Sequence, residues 1–318
     1  MRVNVQLIDA ETGNHLWAER FDKPLADLFD MQDEIVARLA RQLDAELVAA
    51  EARRAERAPD PDAMDLYFQG TACLHKGQSL EILSQARGYF ERALARDPGN
   101  VEALLGVAWT DTMHAVVFLV DDRAQRLAAA EIAAARVLSL APNHAFAHFV
   151  LGCVQIFTNR VTQGIAEAER ALALDRNLAN AHAFIGAGKA FAGRAEESEA
   201  HVQEALRLSP RDSFAYQWMA RVAANKLNLG VYAEAAQWAR RSIEANRNYP
   251  LAHFWLAAAL AQLGRLDEAQ QAVQPGLALA PGFTLARYRA GVQSDNPTYL
   301  AQRERIIEGM RKAGVPEG

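Results

Sequence analysis

Cysteine is nearly absent from this 318-residue chain: Cys73 and Cys153 stand far apart, without CxxC or Cys/His spacing. A disulfide framework or a zinc site is therefore not what holds the protein together. Both cysteines sit in apolar helical patterns, where a thiol serves as a small buried hydrophobe. Long apolar runs are missing as well. The best, Ala115 to Val120, is far shorter than the roughly 20 residues that span a bilayer. No basic start leads into an apolar run and a cleavage site, so the expectation is a cytoplasmic protein that does not insert into membranes. An excess of basic charge is also lacking. With a formal net charge of −5 and a pI near 5.9, direct binding of nucleic acid is not expected.

Signatures of catalysis are sparse. There is no nucleophile elbow, P-loop or dinucleotide glycine fingerprint, and Gly186, Gly188 and Lys189 only hint at such spacing inside a helical pattern. His144 and His148 stand four apart, but HAFAH carries Ala145 where a zinc protease motif needs its glutamate. LYFQG, from Leu66 to Gly70, matches the tail of a tag-removal protease site, yet Met64 replaces the required glutamate, and helix packing is the better reading. No acid, base and nucleophile converge. The expectation is a protein without catalytic residues, cofactor or metal.

What the chain has is repetition. Six related endings begin at Ala93 (ALARDPGN), Val137, Ala171, Ala205, Ser242 and Gly276, spaced 44, 34, 34, 37 and 34 residues apart. Inserted turns near Leu119 to Asp122 and Asn228 to Val231 accommodate the two longer intervals. Each unit reads as two amphipathic helices. The second ends where Pro98, Pro142, Pro210 and Pro281 lack the N–H that would continue it; Arg176 and Arg247 stand there in the other two. Small residues recur at fixed offsets: Ala108, Gly152, Gly186, Ala220 and Ala257 in the first helix, and Ala86, Ala130, Gly164, Ser198, Ala235 and Ala269 in the second. That pattern suits closely crossing antiparallel helices. His148, His182 and His253 share one repeat position, where ring packing between helices is expected.

Period, small residues and terminal proline together resemble the tetratricopeptide repeat, over roughly Pro61 to Phe283. The fold expected is all-α: a tetratricopeptide-type solenoid of helical hairpins in which each repeat packs mainly on its neighbours. Before it, Val3, Val5 and Leu7 alternate with polar residues, a turn-rich segment follows, and Leu16 to Phe21 read as a second strand. A long helix from Leu25 then dissolves into the charged EARRAER and the breaker APDPD. This run resembles the end of a TolB-like α/β domain. The expected domains are 1–57, a β-hairpin plus helix from such a domain; 58–284, six repeats; and 285–318, a capping helix and tail. In the tail Asn296 is the N-cap and Pro297 the first helical residue, and Tyr299, Leu300, Ile306, Ile307 and Met310 lie on the last repeat.

TolB-like domains followed by repeats resemble bacterial proteins that begin with a class III adenylate or guanylate cyclase domain, whereas other relatives begin with a winged-helix DNA-binding domain. The resemblance implies a non-catalytic interaction scaffold, the regulatory carboxy-terminal portion of a cyclase-type signalling protein; the alternative is the repeat region of a winged-helix transcription regulator. Met1 falls within an expected internal strand, so a fragment, a mis-called start or a truncated relative is expected, and the exposed strand edge makes hairpin-mediated homodimerisation one outcome. The family lines its concave groove with the first helices. Here that implies Trp109, Phe146, Phe149, Phe184, Phe214, Gln217, Trp218, Arg221, Asn225, Phe254 and Trp255, a wall for an apolar protein or peptide segment. The competing reading is a narrow superhelix that buries these rings.

Overall fold

A computed structural model describes residues 2–8, 13, 15–22, 35, 43, 46–76, 79–116, 122–210 and 212–318. The alternating segment forms β1 (Arg2–Ile8) and β2 (His15–Asp22), an antiparallel hairpin pairing Val3 with Phe21 and Val5 with Glu19. The expected helix from Leu25 falls largely outside the described residues. Its end, α1 (46–56), is helical through EARRAE instead of dissolving there. Val48, Ala52 and Ala55 form a buried stripe at helical spacing, and apolar burial outweighs the charge on the opposite face.

Six helix pairs follow: α2 (Ala63–His75) with α3 (Leu80–Arg96), α4 (Val101–Val116) with α5 (Arg123–Leu140), and α6 (Ala145–Phe157) with α7 (Val161–Leu174). Then come α8 (Ala179–Phe191) with α9 (Ser198–Leu208), preceded by a 3-10 turn, α10 (Ala215–Leu229) with α11 (Tyr232–Ala245), and α12 (Pro250–Gln262) with α13 (Leu266–Leu279). A short α14 (Leu285–Ala290) leads to α15 (Pro297–Lys312).

The six recurring endings close the second helices in one way. In each, the capping N–H donates to the carbonyl of the first motif residue: Asp97 to Ala93, Ala141 to Val137, Asp175 to Ala171, Ser209 to Ala205, Asn246 to Ser242 and Ala280 to Gly276. Each pair crosses at the small residues. A Cβ on Gly152 would sit 2.7 Å from the Gly164 carbonyl oxygen, and one on Gly164 2.5 Å from that of Gly152. Turns within the pairs repeat as well: Asn159, Gly193, Gly230 and Gly264 all adopt positive φ, a conformation that glycine and asparagine tolerate best. The insertion at Asn228 to Val231 is a further helical turn on α10. Of the earlier insertion, only Asp122 lies within the described residues.

The recurring histidines do more than fill space. Nε2 of His148 donates to the Pro142 carbonyl at 2.8 Å, Nε2 of His253 donates to Arg247 at 2.9 Å, and His182 bonds the backbone of Arg176. Each clamps the turn that precedes its own helix. LYFQG lies inside α2, with Leu66 buried and Gly70 against the Phe90 ring. Both thiols are buried, and burial pushes their ionisation up, most for Cys153.

Candidate interaction groove

The first helices of the pairs meet one another in series, α2 with α4 and onward to α12, and so form the inner face of the superhelix. At its upper end the aromatic positions converge instead of opening. Trp109 lies 5.7 Å from Phe146, 5.3 Å from Phe149, 6.1 Å from Phe184 and 5.5 Å from Phe214, between ring centroids. Rings from the second and fifth repeats therefore touch, and the coil is tight. Phe146, Gln217 and Arg221 keep part of their surface; Trp109, Phe149, Phe184, Phe214, Trp218, Asn225, Phe254 and Trp255 are buried. Phe254 departs furthest from a groove position: it stacks on Phe283 at 4.0 Å and packs where Gly276 leaves room.

The lower inner face holds the chain's own tail. α15 is capped as its sequence demands, with Asn296 Oδ1 accepting from Tyr299 N and Pro297 in the first turn. It reaches much further than the last repeat. The Asp295 N–H donates to Asn159 Oδ1 at 3.1 Å and Asn296 Nδ2 to the Ala192 carbonyl at 3.2 Å, while Arg305 bonds the Asn228 carbonyl. Gln262 Nε2 donates to the Arg305 carbonyl at 2.9 Å. The tail thus ties the turns of four consecutive repeats. Tyr299 meets Phe191 edge-on at 5.3 Å, and Ile306, Ile307 and Met310 enter the core around Phe254 and Trp255. Leu300, expected to be buried on the last repeat, is 39% exposed, because the helix lies along the inner face and turns that position outward. Gly309 permits the approach, since a Cβ there would lie 2.7 Å from the Ala258 carbonyl oxygen.

Between α15 and the inner helices lies a cavity of about 10 Å³, room for a single water. Arg221 and Arg303 both line it, and no acidic side chain does so among the described residues. Arg221 spreads over the Phe191 and Trp255 rings at 5.6 and 5.8 Å. Arg303 stacks on Tyr288 at 4.4 Å and donates to the Tyr288 and Arg289 carbonyls. Burial pushes the Tyr299 hydroxyl up to about 12, so it stays protonated. Asn225 Nδ2 donates to Ser198 Oγ at 2.6 Å, which removes it as a free handle.

Sequence reasoning missed the residues that receive the tail: Asn159, Ala192, Asn228 and Gln262. A signal was present. Asn159, Gly193, Gly230 and Gly264 recur with the repeat, marking turns that all face one side. His144 and His148 do not converge on an ion: His144 Nδ1 accepts from Ala147 N, and His148 lies between Glu167 and Pro142. Among the described residues no group of three His, Cys, Asp or Glu is placed to hold a metal. No helix among them is long and apolar enough to cross a membrane.

A tetratricopeptide repeat family model matches residues 238–271. A 119-residue stretch is 37% identical to a protein of Rhizobium meliloti (strain 1021) named "Putative adenylate cyclase 3", covering 36% of this chain and 20% of that one. The chain thus spans about a fifth of that relative's length. Among solved structures it resembles a chain of the APC/C hetero-tetramer Cut9–Hcn1, with TM-score 0.60 and 15% identity over 82% of this chain and 46% of that one. It also resembles the human IFIT1 dimer with m7Gppp-AAAA, with TM-score 0.61 and 14% identity over 85% and 66%. At such identities the likeness is one of fold. Helix geometry, repeat spacing and these likenesses agree that the chain carries tetratricopeptide-type repeats wound into a helical solenoid.

Proposed function

We propose that the chain is a non-catalytic protein-interaction scaffold, the regulatory carboxy-terminal portion of a bacterial adenylate cyclase-type signalling protein. The observation that carries this reading is the stretch shared with the Rhizobium protein, together with a hairpin before the repeats where the resemblance puts the end of a TolB-like domain. Partner binding belongs to the inner face, at the partly exposed Phe146, Gln217 and Arg221 and at the surface now under α15. The repeats would hold a protein segment and pass its presence to the attached domain, in the cytoplasm. Pairing of two hairpins into a dimer belongs to the same reading, and light scattering that gives a monomer mass would remove that part of it.

Reading the genomic frame upstream of the Met1 codon tests the assignment. An in-frame cyclase catalytic domain is expected, and a stop codon directly upstream would remove it. The purified chain incubated with ATP and Mg²⁺ or Mn²⁺ should form no cyclic AMP; measurable product would overturn the non-catalytic reading.

A further inference from the structure

The interface beneath α15 is unlike the rest of the solenoid. Its apolar half is well filled by Tyr299, Ile306, Ile307 and Met310. Its polar half is not: Asn228 Oδ1, Gln293 Nε2 and Gln302 Oε1 are buried without a hydrogen-bond partner among the described residues. Asn228 and Gln293 flank the small cavity that Arg221 and Arg303 share. Two guanidinium groups therefore line one small cavity with no carboxylate on its wall among the described residues, and their donors go to carbonyls and ring faces. Like charges without a counter-charge, and buried amide atoms without partners, both cost free energy. α15 fits the groove in shape but not in charge.

We propose that α15 is a replaceable occupant of the inner face, and that the groove takes a partner's amphipathic helix with the same apolar pattern and a carboxylate where α15 carries Arg303. This rests on the interaction-scaffold reading and adds the chemistry of the partner. The carboxylate pairs with the Arg221 fork, the geometry in which charge-assisted hydrogen bonds are strongest. The apolar face of the partner helix takes the places of Tyr299, Ile306, Ile307 and Met310. Gly309 is the point at which α15 can be loosened, because any side chain there meets the Ala258 backbone.

The test uses the whole chain, wild type and Gly309→Val, with two fluorescent peptides spanning residues 292–314, one native and one carrying Arg303→Glu. By anisotropy, both peptides should bind the Gly309→Val chain at least about tenfold more tightly than wild type, and the Arg303→Glu peptide about tenfold more tightly than the native one. Adding Arg221→Ala should erase that preference. Equal affinities for the two peptides, or a preference that survives Arg221→Ala, overturn the proposal and leave the groove reading standing. Failure of both peptides to bind a folded Gly309→Val chain removes the groove reading itself. Hydrogen exchange on the wild type decides the matter if that variant does not fold. Amides of α15 should exchange at least about 100-fold faster than those of α12, and equal protection would make α15 a fixed part of the solenoid.

Discussion

Single residues settle how closely the helices of a pair approach. At Gly152 an added Cβ would meet backbone, the Gly164 oxygen at 2.7 Å and the Ala168 nitrogen at 3.0 Å, and backbone cannot rotate away. Gly152→Ala should cost about 1–3 kcal/mol, read as a lower urea midpoint; unchanged stability would put the crossing elsewhere. Gly88 in α3 has nothing within 4 Å of such a Cβ, so Gly88→Ala should gain about 0.5–1 kcal/mol from helix propensity alone. Histidine acts at the same scale. Burial holds the imidazoles of His182 and His201, 6.3 Å apart, below their ordinary value of 6.5. Below that value the unfolded chain takes up protons that the folded chain refuses. Their contribution is therefore present above about pH 6.5 and lost as the pH falls through the depressed folded values. Comparing urea midpoints near pH 7.5 and 5.5 should show a drop that shrinks in His182→Gln/His201→Gln; an undiminished drop would place its source elsewhere.

Elements were legible where a pattern repeats, and less so where one segment meets many. The second-helix endings, the crossing glycines and the cap of α15 all follow from local spacing, because each is decided by residues within one or two turns. The continuation of α1 through EARRAE was hidden because charge masked the Val48, Ala52 and Ala55 stripe. The histidine clamps were read as ring packing, since a side chain's hydrogen-bond partner on a preceding turn leaves no mark on hydrophobic periodicity. The path of α15 was hidden for a different reason: its apolar face specifies burial but not which repeats provide it. Asn296 ties the two levels together, capping its own helix and donating to the Ala192 carbonyl. Asn296→Ala should cost about 1–2 kcal/mol for the cap. Raised exchange should appear at the start of α15, and a change confined to the 292–298 segment without loss of stability would contradict the cap.

Across the whole molecule, a solenoid whose repeats touch only their neighbours is expected to unfold piecemeal, each repeat responding to the next. Here two features oppose that. Trp109 and Phe214 join the second repeat to the fifth at 5.5 Å, and one apolar cluster runs from Leu83 through Phe149 and Phe184 to Tyr299. This superhelical radius explains why the aromatic positions along the first helices do not stand open: the spacing fixes their face, and the winding decides what that face meets. The tail adds a second tie through the turns at Asn159, Ala192, Asn228 and Gln262. Helices α4 to α12 should therefore lose structure together. Tryptophan fluorescence from Trp109, Trp218, Trp238 and Trp255 and far-ultraviolet circular dichroism should give coincident urea transitions, the signature of one cooperative unit. Weakening both long-range ties, with Trp109→Leu and Asn296→Ala in one chain, should separate the two curves. Transitions already separate in the wild type would show that nearest-neighbour coupling governs this solenoid after all.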